Sequence, residues 1–172
     1  MNPLYISIGL IILGVVCIIV GWIMSPPAGF PTDKKFKLHI PSTDFCVDSE
    51  TPQVSAEYRQ VRIKECNKNN SEQEFTYDIT GKLIKNSNYN LCLDDNNSAK
   101  DNENLYRLAK CNENSPNQKF NYQVNEKRIN KEDGSNNCIT RLNTGFRNIP
   151  CRMSPDNKSP DENQQFNIVN LN

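Results

Sequence analysis

Histidine is nearly missing: His39 is the single one in 172 residues. Imidazole is the commonest zinc ligand and the usual acid–base group near neutral pH, so both kinds of chemistry lack their ordinary tool. Net charge is missing too. Twenty Lys and Arg balance twenty Asp and Glu, and no dense basic run provides the electrostatic footprint that nucleic acid requires. The seven cysteines never fall in Cys-x-x-Cys spacing, which removes the usual zinc layout. These absences argue against an enzyme, a metal site and a nucleic-acid partner, and no cofactor is expected.

Apolar residues are scarce outside one stretch. They make up 36% of the chain, but 17 of them lie in residues 4–24, which carry no charge. The remainder is only about 30% apolar, poor for a globular core. As a helix, residues 4–24 would span about 32 Å, matching a hydrocarbon core of about 30 Å. Tyr5 and Trp22 stand near its two ends, where amphipathic rings favour the membrane interface. A cleaved signal peptide would start with basic residues, use a shorter apolar run and end on small residues. Met1, Asn2 and Pro3 supply no basic group, and Ser25, Pro26 and Pro27 make a poor cleavage site. Residues 1–24 are therefore expected to form an uncleaved transmembrane anchor on the lipid bilayer. Residues 25–34, with Pro26, Pro27 and Pro31, are expected to form a short stiff stalk. Ser7, Gly14, Cys17 and Gly21 recur at helical spacing, a seam along which a second helix could pack closely.

The other six cysteines are ordered: Cys46, Cys66, Cys92, Cys111, Cys138 and Cys151. Behind every second one comes the same phrase, Gln73 and Phe75, then Gln118 and Phe120, then Gln164 and Phe166. Cysteines, glutamines and phenylalanines agree on a period of about 45 residues, which means three copies of one supersecondary unit. Short alternating runs, bounded by Asn, Asp, Gly and Ser, indicate strands rather than helices. Examples lie at 36–40, 61–63, 82–84, 105–108 and 166–169. Three such copies predict an all-β, closed threefold architecture with few exposed sheet edges.

The Cys-x-Asp openings (Cys46 to Asp48, Cys92 to Asp94) and the terminal Gln-x-aromatic phrase resemble the ricin B-type lectin β-trefoil. The resemblance covers residues 35–172, with repeats of about 35–78, 79–123 and 124–172. Phe stands where that family has Trp. The resemblance implies disulfides within each repeat: Cys46–Cys66, Cys92–Cys111 and Cys138–Cys151. Bridges closing loops of this size each contribute on the order of 3 kcal/mol, which suits a chain with so thin a core.

The family's sugar site, as the resemblance implies it, uses the Asp after the first cysteine, the Asn before Gln-x-aromatic, and an aromatic face two positions before the second cysteine. The first repeat has Asp48, but Lys64 and Glu72 in the other two places. The second has Asp94, Asn117 and Gln118, with Ala109 in place of the aromatic residue. The third has Asn163 and Gln164, but Thr140 and Ile149. Only the second repeat is a candidate saccharide site, through Asp94, Asn117 and Gln118, with nearby Tyr106 as substitute aromatic surface. Asp and Asn beside strands also serve as turn residues, so a purely structural role remains open.

Topology carries a conflict. No Lys or Arg precedes the apolar segment, and Lys34, Lys35 and Lys37 follow it, which places the C-terminal domain in the cytosol by the positive-inside rule. Three disulfides demand an oxidising side. Six cysteines outweigh three lysines, so the domain is expected to be extracellular or lumenal. The layout is also similar to membrane proteins of large cytoplasmic DNA viruses, which bring their own thiol-oxidising enzymes; such a domain would lie on a virion membrane. The chain is thus expected to be a single-pass, non-catalytic binding module with a glycan as partner. The alternative is a structural or protein-interaction subunit whose trefoil has lost its sugar site.

Overall fold

In a computed structural model of the chain, the described residues are 29–49, 58–95, 106–143, 145–156 and 158–171. The expected anchor, its small-residue seam and most of the stalk lie outside them. Among the described residues no helix is long and apolar enough to cross a membrane.

Each repeat folds into the same succession of short strands. The first holds β1 (Phe36–His39), β2 (Phe45–Asp48), β3 (Tyr58–Gln60), β4 (Arg62–Glu65) and β5 (Phe75–Asp78). The second holds β6 (Leu83–Asn86), β7 (Leu91–Asp95), β8 (Tyr106–Lys110) and β9 (Phe120–Gln123). The third holds β10 (Arg128–Lys131), β11 (Asn137–Leu142), β12 (Gly145–Pro150) and β13 (Asn167–Asn170). The first and last strands of each repeat close a six-stranded ring: β13 on β1, β1 on β5, β5 on β6, β9 on β10, all antiparallel. Single bridges, Leu83 to Lys119 and Arg128 to Gln165, complete it. The middle strands form three hairpins, β2–β4, β7–β8 and β11–β12. This is a β-trefoil, and closure removes the open edges that so polar a sheet could not protect.

The core explains how few apolar residues suffice. Phe75, Phe120 and Phe166 are all buried at matching places and packed with Phe36, Phe146, Leu108 and Ile129. Tyr77 and Tyr122, two residues on, donate from their hydroxyls to the Phe120 and Phe166 carbonyls at 2.8 Å, tying each repeat to the next. Burial, helped by the Asp78 charge, pushes the Tyr77 hydroxyl up to about 12. Bonded cysteines staple the hairpins: Cys46–Cys66, Cys92–Cys111 and Cys138–Cys151, with Cα atoms 5.0, 4.9 and 5.0 Å apart.

Two features depart from the sequence expectation. Phe30, placed in the stalk, is only 6% exposed and packs on Phe36, Tyr77 and Tyr122, with ring centroids 5.5, 4.5 and 5.3 Å away. The domain therefore begins before residue 35, because one aromatic side chain ahead of β1 fills the ring's interior. The third strand of the first repeat is also broken. Val61, buried, separates β4, which pairs with β2, from β3, which crosses to pair with β8 of the second repeat. That crossing shapes the candidate site.

Candidate functional site

β8 alternates strictly. Tyr106 and Leu108 turn inward and are 1% and 0% exposed, while Arg107 and Ala109 turn outward. Tyr106 packs on Phe120 with centroids 5.9 Å apart, so it offers no face to a ligand. The expectation that it substitutes for the missing aromatic surface is corrected by parity: side chains one residue apart on a strand point to opposite faces. Burial, together with the Asp95 and Asp133 charges, raises its hydroxyl well above the usual range.

Gln118 proves to be a clamp. Its Nε2 donates to Asp94 Oδ2 at 2.9 Å and to the Lys110 carbonyl at 3.1 Å, and its Oε1 accepts from the Asn112 N–H at 2.8 Å. The other two repeats repeat the device. Gln73 donates to Asp48 and the Glu65 carbonyl and accepts from the Asn67 N–H. Gln164 donates to the Thr140 hydroxyl and the Pro150 carbonyl and accepts from the Arg152 N–H. Each glutamine thus fastens the residue two beyond the first cysteine to the loop behind the second.

The clamp holds Asp94 at the side of an open pocket of about 580 Å³. Arg107, Ala109, Lys110, Asn112 and Ser115 line it from the second repeat. Tyr58 lines it from β3 of the first, lying directly opposite Ala109 in the ladder. A ring therefore stands beside the position where the second repeat has only a methyl group. Arg107 donates from Nε to Asp94 Oδ1 at 3.1 Å, and its guanidinium carbon lies 5.3 Å from the Tyr58 ring centroid. The family model for the ricin-type beta-trefoil lectin domain matches residues 32–166.

The chain belongs to that family. It is a family of binding modules, generally without catalysis. Solved structures of the same fold include the C-half of an earthworm R-type lectin in complex with GalNAc, at 12% identity and a TM-score of 0.61, over 80% of this chain and 99% of that one. The designed threefold protein ThreeFoil matches at 14% identity and 0.63, over 81% and 100%. The lectin trefoil of the Vibrio vulnificus hemolysin, with N-acetyl-D-lactosamine bound, matches at 13% and 0.58, over 81% and 96%. GalNAc-T7 matches at 17% and 0.61 over 84% of this chain, but the chain spans only 23% of that enzyme's length. No curated protein sequence matches the chain.

Within this ricin-type trefoil the other two repeats are built differently. Asp48 is wholly buried under Asn70 and Gln73, and Lys64, in the aromatic position, lies 3.6 Å from its second oxygen. In the third repeat Arg141 donates to Asn163 at 2.9 Å beside Ile63, and among the described residues no carboxylate lines that pocket. Asn117, expected as a ligand, is also displaced. Its side-chain carbonyl accepts from Lys131 at 3.4 Å, and it does not line the pocket. Lys131 is itself held by Asp95 at 3.0 Å and Asp133 at 3.1 Å. Burial works against its ammonium, but the hydrogen bonds to these two carboxylates outweigh it and raise its pKa. Burial likewise opposes the Asp133 charge, and hydrogen bonds from Ser135 and Lys131 still bring that carboxyl down to about 2.

Sequence reasoning missed Tyr58 and Arg107. Arg107 was legible, since alternation from buried Leu108 places it outward. Tyr58 was not, because nothing inside the second repeat announces a strand borrowed from the first.

Proposed function

We propose that the protein is a single-pass, membrane-anchored, non-catalytic saccharide-binding module whose ligand sits in the second-repeat pocket. The observation that carries this reading is Asp94, oriented by Gln118 at the side of a pocket that also receives the Tyr58 ring. A sugar needs fixed polar partners for its hydroxyls and an apolar surface for its ring face, and this pocket offers both. The saccharides bound by the earthworm and Vibrio relatives support the ligand class. Arg107, Lys110, Asn112 and Ser115, rather than Asn117, are the other polar neighbours among the described residues.

Residues 4–24 supply the anchor, and the folded domain begins within a few residues of it, so the trefoil is held close to the bilayer. Bonded cysteines favour an extracellular, lumenal or virion face over a reducing cytosol. Glycan-array binding by the full-length chain in detergent tests the ligand reading; the signal should vanish in Asp94→Ala. Resistance to alkaline extraction tests the anchor. Glycosidase sensitivity at Asn69, which is exposed and begins an Asn-x-Ser sequon ending at Ser71, separates a lumenal domain from a virion-type one that forms disulfides without glycans.

A second reading has its own support. Both oxygens of Asp94 already have protein partners, and Asp48 is buried. A trefoil that kept the clamp and lost the sugar site would serve as a protein-interaction subunit. Co-purification of one stable protein partner, with no glycan signal, would favour it.

A further inference from the structure

Arg107 does something in the pocket that a neutral sugar does not require. Its Nε is committed to Asp94, while neither terminal guanidinium nitrogen bonds to any described residue, and the side chain is 33% exposed. A guanidinium with its Nε occupied still presents a planar edge of N–H donors, spaced to meet two oxygens of one anionic group. Lys110 adds a second cation to the lining. Among the described residues Asp94 is the lining's one acidic side chain, and its two oxygens are taken by Gln118 and Arg107. The formal charge of the described lining is therefore positive, and its carboxylate is less available for a hydroxyl pair than a free one.

We propose that this pocket selects acidic saccharides, with Arg107 pairing to a carboxylate or sulfate ester on the sugar and Tyr58 packing against the ring. The inference rests on the reading of the pocket as a saccharide site and names the class of sugar it takes. Charge recruits the ligand and the ring confers sugar recognition. Zero net charge over the whole chain leaves that recruitment to the pocket itself.

The test uses the full-length chain in detergent micelles and calorimetric titration with methyl galactoside, methyl galacturonoside, methyl galactoside 6-sulfate and inorganic sulfate. At least one acidic sugar should bind about tenfold more tightly than the neutral one, the scale of a charge-assisted pair. The difference should shrink with added salt. Comparing the two acidic sugars decides between carboxylate and sulfate. Arg107→Gln should erase the preference, and Arg107→Lys, which keeps the charge without the fork, should retain only part of it. Tyr58→Ala should weaken all three sugars by severalfold while preserving their ratio. Equal or tighter binding of the neutral sugar overturns the acidic selectivity and leaves the saccharide reading intact. Binding of no sugar overturns both. Inorganic sulfate binding as tightly as the sulfated sugar would mean an anion site without sugar recognition, and would also overturn the proposal.

Discussion

Replacing Gln118 by Ala removes three hydrogen bonds at once, and the threefold fold supplies its own controls. The lost partners are the Asp94 carboxylate, the Lys110 carbonyl and the Asn112 N–H. A net contribution of about 1 kcal/mol for each neutral bond and about 1.5–3 for the bond to a charge gives a loss of about 3.5–5 kcal/mol. For a domain of this size that lowers the melting temperature by roughly 10–15 °C. Gln73→Ala should behave alike, because its corresponding partner is the Asp48 carboxylate. Gln164→Ala should be milder by about 1 kcal/mol, because its partner is the neutral Thr140 hydroxyl. All three glutamines are buried, so the cavity left behind is similar and largely cancels in the comparison. Urea and thermal unfolding of the full chain in detergent, with disulfides intact, measures the three losses. A Gln164 variant as damaged as the other two would refute the charge-assisted part of the argument. A loss below about 1 kcal/mol in any of them would refute the clamp itself.

Phe30→Ala should cost about 3–5 kcal/mol, since it empties a site shared by three aromatic rings; unchanged thermal unfolding would return Phe30 to the stalk. Lys131→Met should cost about 3–5 kcal/mol by leaving the buried Asp95 carboxylate without its cation, and adding Asp95→Asn should recover part of that loss. A loss under about 1 kcal/mol would mean that the pair is no stronger than an exposed bridge. Alkali should destabilise the fold from about pH 10 upward. With Tyr77 raised to about 12 and Tyr106 and Tyr122 also raised, the folded state binds protons that the unfolded chain releases near pH 10. Their contribution is complete below that pH and is lost as pH rises through their raised values, about 12 for Tyr77. Tyrosinate absorbance followed alongside circular dichroism tests this, and six tyrosines titrating together near the free value would contradict it.

Much of the scaffold was legible because it is written in local, repeated signals. A cysteine period, a Gln-x-Phe phrase and period-two strands each survive without knowledge of distant contacts. The candidate site was legible only in part. Asp94 and Gln118 belong to the repeated phrase and meet in the fold. Tyr106 was misplaced by a single residue of parity, and Asn117 was drawn off by Lys131, which lies in the third repeat. Phe30 carried no signal at all, because one aromatic residue in a Pro-rich segment reads as linker until the ring's interior is seen to need filling.

The amino-acid sequence by itself determined three copies of a β unit marked by two cysteines and a Gln-x-Phe phrase, with an uncharged, largely apolar segment ahead of them. Those properties depend on residue identity and spacing along the chain. Tertiary structure alone decided what the second-repeat pocket contains. The strand break at Val61 sends β3 across to β8 and carries Tyr58 to Ala109. The clamp on Asp94 leaves its other oxygen to Arg107. Both outcomes arise from pairing between segments far apart in sequence, where strand register, and not composition, sets which side chains meet.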